Sequence, residues 1–505
     1  MDHKVSKDCP KAHIEIVEGD LQQNSGQNKT TSQEIAGSNT PQFKLYKRRY
    51  FGVVGIVFLS IFAGANLSWF GPIANSSSQT FDISLDQVNW LGNIVGCTYL
   101  IVTPVIPGLC SRYNIRRCYE IGVVFLVISA WVRFAGTARS LSPQGAYALL
   151  LIGQFLSSIP QVLFLVLAPT FSETWFDMKG RTTATMIMSI ATPVGNAVGQ
   201  LISPSLHDTR TSVLVLGILS TAVAPFVFLV GAKPPTPPSY AGSQATHSLM
   251  TTLRAVVGRL PHRRSIHDTG ATMVQGETTG TSKETKEANV EVLDVYMTLR
   301  ERIDFIMLTL AFTGLVSGVN TFSLLSNEIL EPYGYSERIA GLMGSSLLLS
   351  GLVVSFTTSM LFDRVLTHHL GLAARTFVPI VAAAWLGLIW AARPHNTGAL
   401  FAIFVIIGVC SISMLPIALE LGCELTRNSG ASSAILWFSA NLGGIIFVLV
   451  MSALRASSSA TPPRNMHRAL IFNGATIFSC TILILFFRGR QRRREKDVLV
   501  AGHTL

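Results

Sequence analysis

"ALFAIFVIIGVCSISMLPIALELGCELT" (residues 399–426) carries no charged residue until Glu420, then sets Glu424 four positions further on. A stretch this long and apolar spans the roughly 30 Å hydrocarbon core of a bilayer as a helix rising about 1.5 Å per residue. A carboxylate inside such a segment is costly and marks a position with a task. The stretch therefore fixes the class of chain, one that crosses a membrane, and leaves its two glutamates to be accounted for.

The remainder has the same character. Of 505 residues, 49% are hydrophobic and 13% charged, a charged share about half that of a soluble globular protein. Apolar runs at about 50–74, 89–111, 118–138, 147–170, 184–206, 212–232, 304–327, 338–361, 376–393, 399–425, 432–454 and 467–487 give twelve spans. Runs of this kind satisfy their backbone hydrogen bonds as helices rather than as barrel strands. The expected fold is an all-α polytopic membrane protein of twelve transmembrane helices in two six-helix halves, 50–232 and 304–487. A linker, 233–303, beginning "KPPTPPSYAGSQ", joins them. A polar segment, 1–49, and a basic one, 488–505, flank them, and residues 1–43 lack the apolar core of a signal peptide.

The net charge of +11 is unevenly placed. With both ends on the cytosolic side, about 31 of the 39 Lys and Arg fall on that side, the asymmetry of the positive-inside rule. The terminal "RGRQRRREK" then reads as a headgroup anchor, and no nucleic-acid partner is expected. The seven cysteines form no CxxC pair, so neither a disulfide framework nor a zinc site is indicated. No metal or cofactor is expected, and no "GxxxxGK" run offers a nucleotide site for a primary pump. Within the linker, "TLRAVVGRL" and "VLDVYMTLRERI" fit short amphipathic helices on the membrane surface or ordinary linker structure.

Six helices, a long linker and six more is the organisation of the major facilitator superfamily, whose halves are repeats around a central solute path. The fourth span ends "APTFSETWFD" and the tenth "LPIALELGCE", so Pro169, Glu173 and Asp177 share the spacing of Pro416, Glu420 and Glu424. The loop after span two, "PGLCSRYNIRRC", keeps Arg112, Arg116 and Arg117 of the superfamily's loop signature, with Ser111 in place of its acid and Asn114 in place of its turn glycine. The loop after span eight, "SMLFDRVL", keeps the pair Asp363 and Arg364.

Several stretches together resemble the feline leukaemia virus subgroup C receptor-related branch, solute carrier family 49, of that superfamily. They are "LPIALELGCELTRNSGASSAILWFSANLGGIIF", "GQFLSSIPQV", "ETWF", "RTTATM", "LYKRRYF", "AWVRF" and "KPPTPPS". The resemblance covers nearly all the helical portion and neither tail. It implies transport without ATP of a small organic solute, of the choline and ethanolamine kind or, historically, haem. It also implies an aromatic cage for a quaternary ammonium group. Trp69 in "LSWFGPIAN" matches one wall. Asn320 or Thr321 stands where the family carries tyrosine, and Pro193 where it carries glutamine, so the resemblance does not deliver the whole cage.

Substrate sites of such carriers lie near the bilayer midplane on facing helices. At about that depth stand Asn66, Trp69, Gln161, Asn196, Gln200, Asn320, Thr321 and Asn441. As a set they suit a wet cavity; singly, each also suits a hydrogen bond between helices worth about 1 kcal/mol or less. The gate candidates are Arg112, Glu173, Asp363, Arg364, Glu420, Glu424 and Arg427, with Glu424 reading as a gate salt bridge and Glu420 as a deeper layer or a proton site. No Asp, Glu, Lys or His falls at a midplane, which favours a facilitator over proton coupling. Asn75 in "NSS" is a candidate glycosylation site. The expectation is a monomeric alternating-access carrier in the plasma membrane, whose partners are its solute and the bilayer, and not an enzyme. A proton-driven efflux carrier for a drug, secondary metabolite or metal chelate is the first alternative, and a non-transporting receptor with a transporter fold the second.

Overall fold

The computed structural model describes residues 44–70, 73–203, 206, 208–239, 248–259, 297–364 and 370–488. The terminal segments 1–43 and 489–505, and most of the linker, lie outside them.

The apolar runs become helices whose ends are set by local chemistry. Helix α1 (Arg48–Ser68) is followed by a short α2 (Ala74–Phe81) and by α3 (Leu85–Val102), which opens on a reciprocal capping box between Ser84 and Gln87. The long α4 (Ile106–Ala135) is two helices divided at Asn114, whose φ is 68°. With ψ at 160° this is the extended positive-φ conformation that glycine normally takes, and Asn114 stands where the superfamily's loop signature carries its turn glycine. Helix α5 (Pro143–Trp175) starts with Ser142 as cap and Pro at its first position, and α6 (Met178–Ile202) follows directly. Asp208 caps α7 (Thr209–Val223); the Thr211 N–H and hydroxyl hold its carboxyl below the usual range. A linker helix, α8 (Leu249–Val257), precedes the second half: α9 (Leu299–Leu330), α10 (Glu337–Arg364), α11 (Leu370–Ala391), α12 (Thr397–Thr426), α13 (Ser429–Ala453) and α14 (His467–Ile482).

Among the described residues, ten helical stretches are apolar and long enough to cross a membrane, and one of them, Trp90–Ala135, contains the Asn114 break and so holds two crossings. The twelfth is α6, which is richer in Thr, Ser and Asn. With an even number of crossings in each half, the described ends at Lys44 and Arg488 share one face with the linker. This is the linker face.

Burial differs sharply along the two repeat-related helices. In α12, positions 410–426 are buried except at Leu415, whereas 399–409 alternate between buried and exposed. In α5, positions 160–172 are all buried while 143–156 alternate. A helix buried on every side is wrapped by protein rather than lipid on every side. On the linker side, α5 and α12 are therefore enclosed by both halves; on the opposite side each is covered on one flank.

Close approach inside each half depends on glycine. A Cβ on Gly195 of α6 would run into the Ile61 carbonyl of α1, and one on Gly408 of α12 into the Leu347 carbonyl of α10. Backbone cannot yield as a side chain can. Gly195→Ala and Gly408→Ala are each expected to cost about 1–3 kcal/mol and to lower the thermal midpoint in detergent. Gly344→Ala, where nothing lies within 4 Å, should leave it unchanged or slightly raised.

Candidate functional site: the closed face between the halves

Three layers of contact join the halves on the linker side. At the junction of α12 and α13, the Ser429 hydroxyl donates to the Thr170 hydroxyl of α5 at 3.3 Å. Beside it, Arg181 of α6 and Glu420 of α12 form an ion pair at 3.8 Å, and each side chain is only 1% exposed. Deeper in, about 12 Å from the start of α13 by helix rise, the Trp437 ring meets Tyr99 of α3 with centroids 6.4 Å apart. Phe312 of α9 packs edge-on against the same indole at 5.4 Å.

Local sequence explains why these groups are aimed at one another. Glu420 lies one turn beyond Pro416, inside a helix that continues through that proline. Arg181 falls in the first turn of α6, which begins immediately after α5 ends, so its guanidinium has no room to leave for solvent. It also donates to the Ser239 hydroxyl at 3.2 Å, so the start of the linker is tied to the same group. Arg427, which ends α12 in a left-handed conformation, reaches Glu301 of α9 at 2.9 Å.

A charge pair this deeply buried is weak evidence for net stability, because desolvation offsets most of the attraction. Removing one partner is another matter, since it strands the other charge. That asymmetry suits a latch: the pair costs little while closed, and each ion needs water or a new partner once the halves part.

The structure distributes the expected cavity residues between two environments. Asn66 and Trp69 are buried on the side away from the linker. Asn66 donates to the Phe62 carbonyl at 2.7 Å and to Ser220 at 3.0 Å, and its side-chain oxygen accepts from Arg133. Arg133, fully buried, also donates to the Asn66 and Ser129 carbonyls and to Gln154. Trp69 donates its indole N–H to Ser212 at 2.9 Å. In this state both residues hold α1 to α4, α5 and α7. Asn196 lies on α6 where that helix packs on Gly64.

The second group centres on Trp437, which meets Tyr99 of the other half. Asn441 sits one turn above Trp437 and donates to its carbonyl at 2.9 Å. Among the described residues, the buried Trp437 indole N–H, the Gln161 side-chain oxygen and the Thr321 hydroxyl have no hydrogen-bond partner. Buried polar atoms normally have one, so these are groups with capacity to spare. Asn320, next to Thr321, is exposed.

Among the gate candidates, Glu173 is half-buried and Glu424 buried, each near the linker-side end of its helix. Arg112 is exposed and lies over the Tyr113 ring. The side chains of Asp363, Arg364, Gln200 and Asn75 lie outside the described residues. Sequence reasoning missed Arg181, Thr170 and Ser429, whose partners lie in the other half of the chain. It also missed Tyr99 and Trp437, although a tryptophan deep in "AILWFSANLGG" is unusual where tryptophans favour membrane interfaces.

Two packed six-helix repeats joined by buried contacts on the linker side make the arrangement of a carrier. Residues 56–448 match the model of the Major Facilitator Superfamily. The chain belongs to that family and is a multi-pass membrane protein, a secondary transporter of a small organic solute rather than an enzyme.

Its relatives carry the resemblance further. It is 25% identical to solute carrier family 49 member A3 of Xenopus tropicalis over 93% of each chain. It is 23% identical to the choline/ethanolamine transporter flvcr2b of Danio rerio, over 92% of this chain and 90% of the relative. In fold it is similar to the transporter FucP in the outward conformation, with a TM-score of 0.60 at 14% identity over 87% of this chain and 99% of that one.

If Arg181 and Glu420 hold the linker face shut, Cys423, buried at 2% exposure one turn from Glu420, is shielded with them. Mass spectrometry after treatment with a membrane-impermeant maleimide on the linker side is expected to find Cys423 unmodified in the native chain and modified in Glu420→Gln. Equal, low modification in both would mean that the pair does not hold the face closed.

Proposed function

We propose that the chain is a facilitator for a small organic amine of the choline or ethanolamine class, working by alternating access and sampled here with its linker face closed. The observation that carries the reading is the Tyr99–Trp437 pair, which bridges the halves as the floor of the path and leaves a buried indole N–H unpartnered among the described residues. Aromatic faces attract an ammonium group through its charge, including a quaternary one that has no N–H to donate. Phe312 extends the aromatic surface, while Asn441, Gln161 and Thr321 supply donors and acceptors for a hydroxyl. The names of relatives such as flvcr2b point to the same class.

The positive-inside asymmetry supports a cytosolic linker face, so the state described would open to the outside of a plasma-membrane protein. One chain supplies both halves and the whole path, which is what a monomeric carrier needs, and the basic linker face suits lipid headgroups rather than nucleic acid. Proton coupling receives less support: Glu420, the acid nearest the path, already has Arg181 as counter-ion.

Proteoliposomes test this directly. Counterflow of choline or ethanolamine is expected without a pH gradient. Loss of a desolvated cation–π contact of about 2 kcal/mol in Trp437→Ala should weaken apparent affinity roughly thirtyfold. Absence of counterflow for both solutes would remove the amine assignment, and flux that requires a proton gradient would move the reading to the efflux class.

A further inference from the structure

The linker helix α8 is short, but its two faces have different chemistry. Its inner face is built in: Thr252 and Ala255 are buried at 0% and 1% exposure, and the Thr252 hydroxyl accepts from the Asn428 side chain at 3.1 Å. Its outer face carries Met250 and Val257, exposed at 59% and 67%, with Arg254 between them and Arg259 just beyond. Neither guanidinium has a partner among the described residues. The helix is stopped by Gly258 at φ 82°, which lies against the guanidinium of Arg302 of α9. Next to Arg302, α9 presents Leu299, Ile303, Ile306 and Leu310 outward, a stripe at helical spacing on a membrane-spanning helix and therefore a lipid-facing one. The outer face of α8 thus continues that stripe at the level where α9 leaves the membrane.

An exposed pattern of apolar and basic residues at such a level suits the boundary between headgroups and acyl chains. The exposed Arg254 and Arg259 are placed to meet phosphates, while Met250 and Val257 enter the apolar zone. The inner face gives the contact a consequence. Asn428, held by Thr252, caps α13 by accepting from the Ala431 N–H at 3.1 Å. The next residue, Ser429, makes the hydrogen bond to Thr170 that joins the two halves.

We propose that α8 docks on anionic phospholipids of the leaflet at the linker face and that this docking, passed through Thr252 and Asn428, reinforces the closed linker face. The inference rests on the closed face described above and not on the identity of the solute. Anionic lipid favours the closed state because the docked helix holds the α12–α13 junction against α5. Detachment of α8 frees Asn428 and loosens the Ser429–Thr170 contact.

Hydrogen exchange of the full-length protein in nanodiscs separates docking from its consequence. In discs containing about 30% phosphatidylserine, amides of 249–257 are expected to exchange severalfold more slowly than in phosphatidylcholine discs, each basic residue near an anionic surface supplying a modest attraction. Amides of 429–432 should slow in parallel. Arg254→Gln with Arg259→Gln, both at the surface, should abolish the lipid effect on both segments. Thr252→Val should keep it on 249–257 and lose it on 429–432. Soluble phosphate added to phosphatidylcholine discs should reproduce neither effect. Identical exchange in the two kinds of disc, or a serine-lipid effect that survives the double substitution, overturns the docking. A Thr252→Val protein that still slows at 429–432 overturns the coupling.

Discussion

The structure depends on one constraint: a guanidinium and a carboxylate, each 1% exposed, face one another at 3.8 Å between halves that must separate for a solute to pass. Such a pair cannot be left half-made, since a lone buried charge costs several kcal/mol. It therefore favours two conditions over any mixture of them, closed with both ions matched or open with both ions wet. The surrounding layers act in the same sense. Thr170 meets Ser429, Tyr99 meets Trp437, and α5 and α12 lose every exposed position over their linker-side portions. Paired ions, hydroxyls and rings thus join the halves on the linker side, while on the opposite side the same helices are covered on one flank.

The twelve-helix frame was readable because hydropathy and helix length follow from bilayer thickness, and the halves because the Pro169–Glu173–Asp177 spacing recurs at Pro416–Glu420–Glu424. Asn114 was flagged as a turn residue, and its φ of 68° is that turn. The glutamates of the tenth span were also recognisable as residues with a task, because an acid in such a run needs a partner. Its identity was not, because Arg181 lies in the other half of the chain and only packing brings the two together.

The candidate cavity shows the same limit from another direction. Depth along a helix can be counted from sequence, but the direction a side chain faces cannot when the helix is apolar all round. Asn66 and Asn441 both lie within apolar spans, yet one is saturated by Arg133, Phe62 and Ser220 while the other sits above the Trp437 ring. Neighbouring Asn320 and Thr321 likewise part company, one exposed and one buried. Arg133 illustrates why: four neutral oxygens satisfy its guanidinium, an arrangement that consumes the amides around it and removes them from the path.

The central claim is that the Arg181–Glu420 pair sets which face is closed, and a pair of interspin distances tests it most directly. Spin labels at Tyr113 and Leu372 report the linker face, and labels at Leu141 and Arg393 the opposite one; all four positions are exposed. With native cysteines replaced, the account predicts one short linker-face distance in the parent protein. In Glu420→Gln it predicts a longer linker-face population together with a shorter opposite-face one. A linker-face distance unchanged by Glu420→Gln, or two distances that lengthen together, would contradict it.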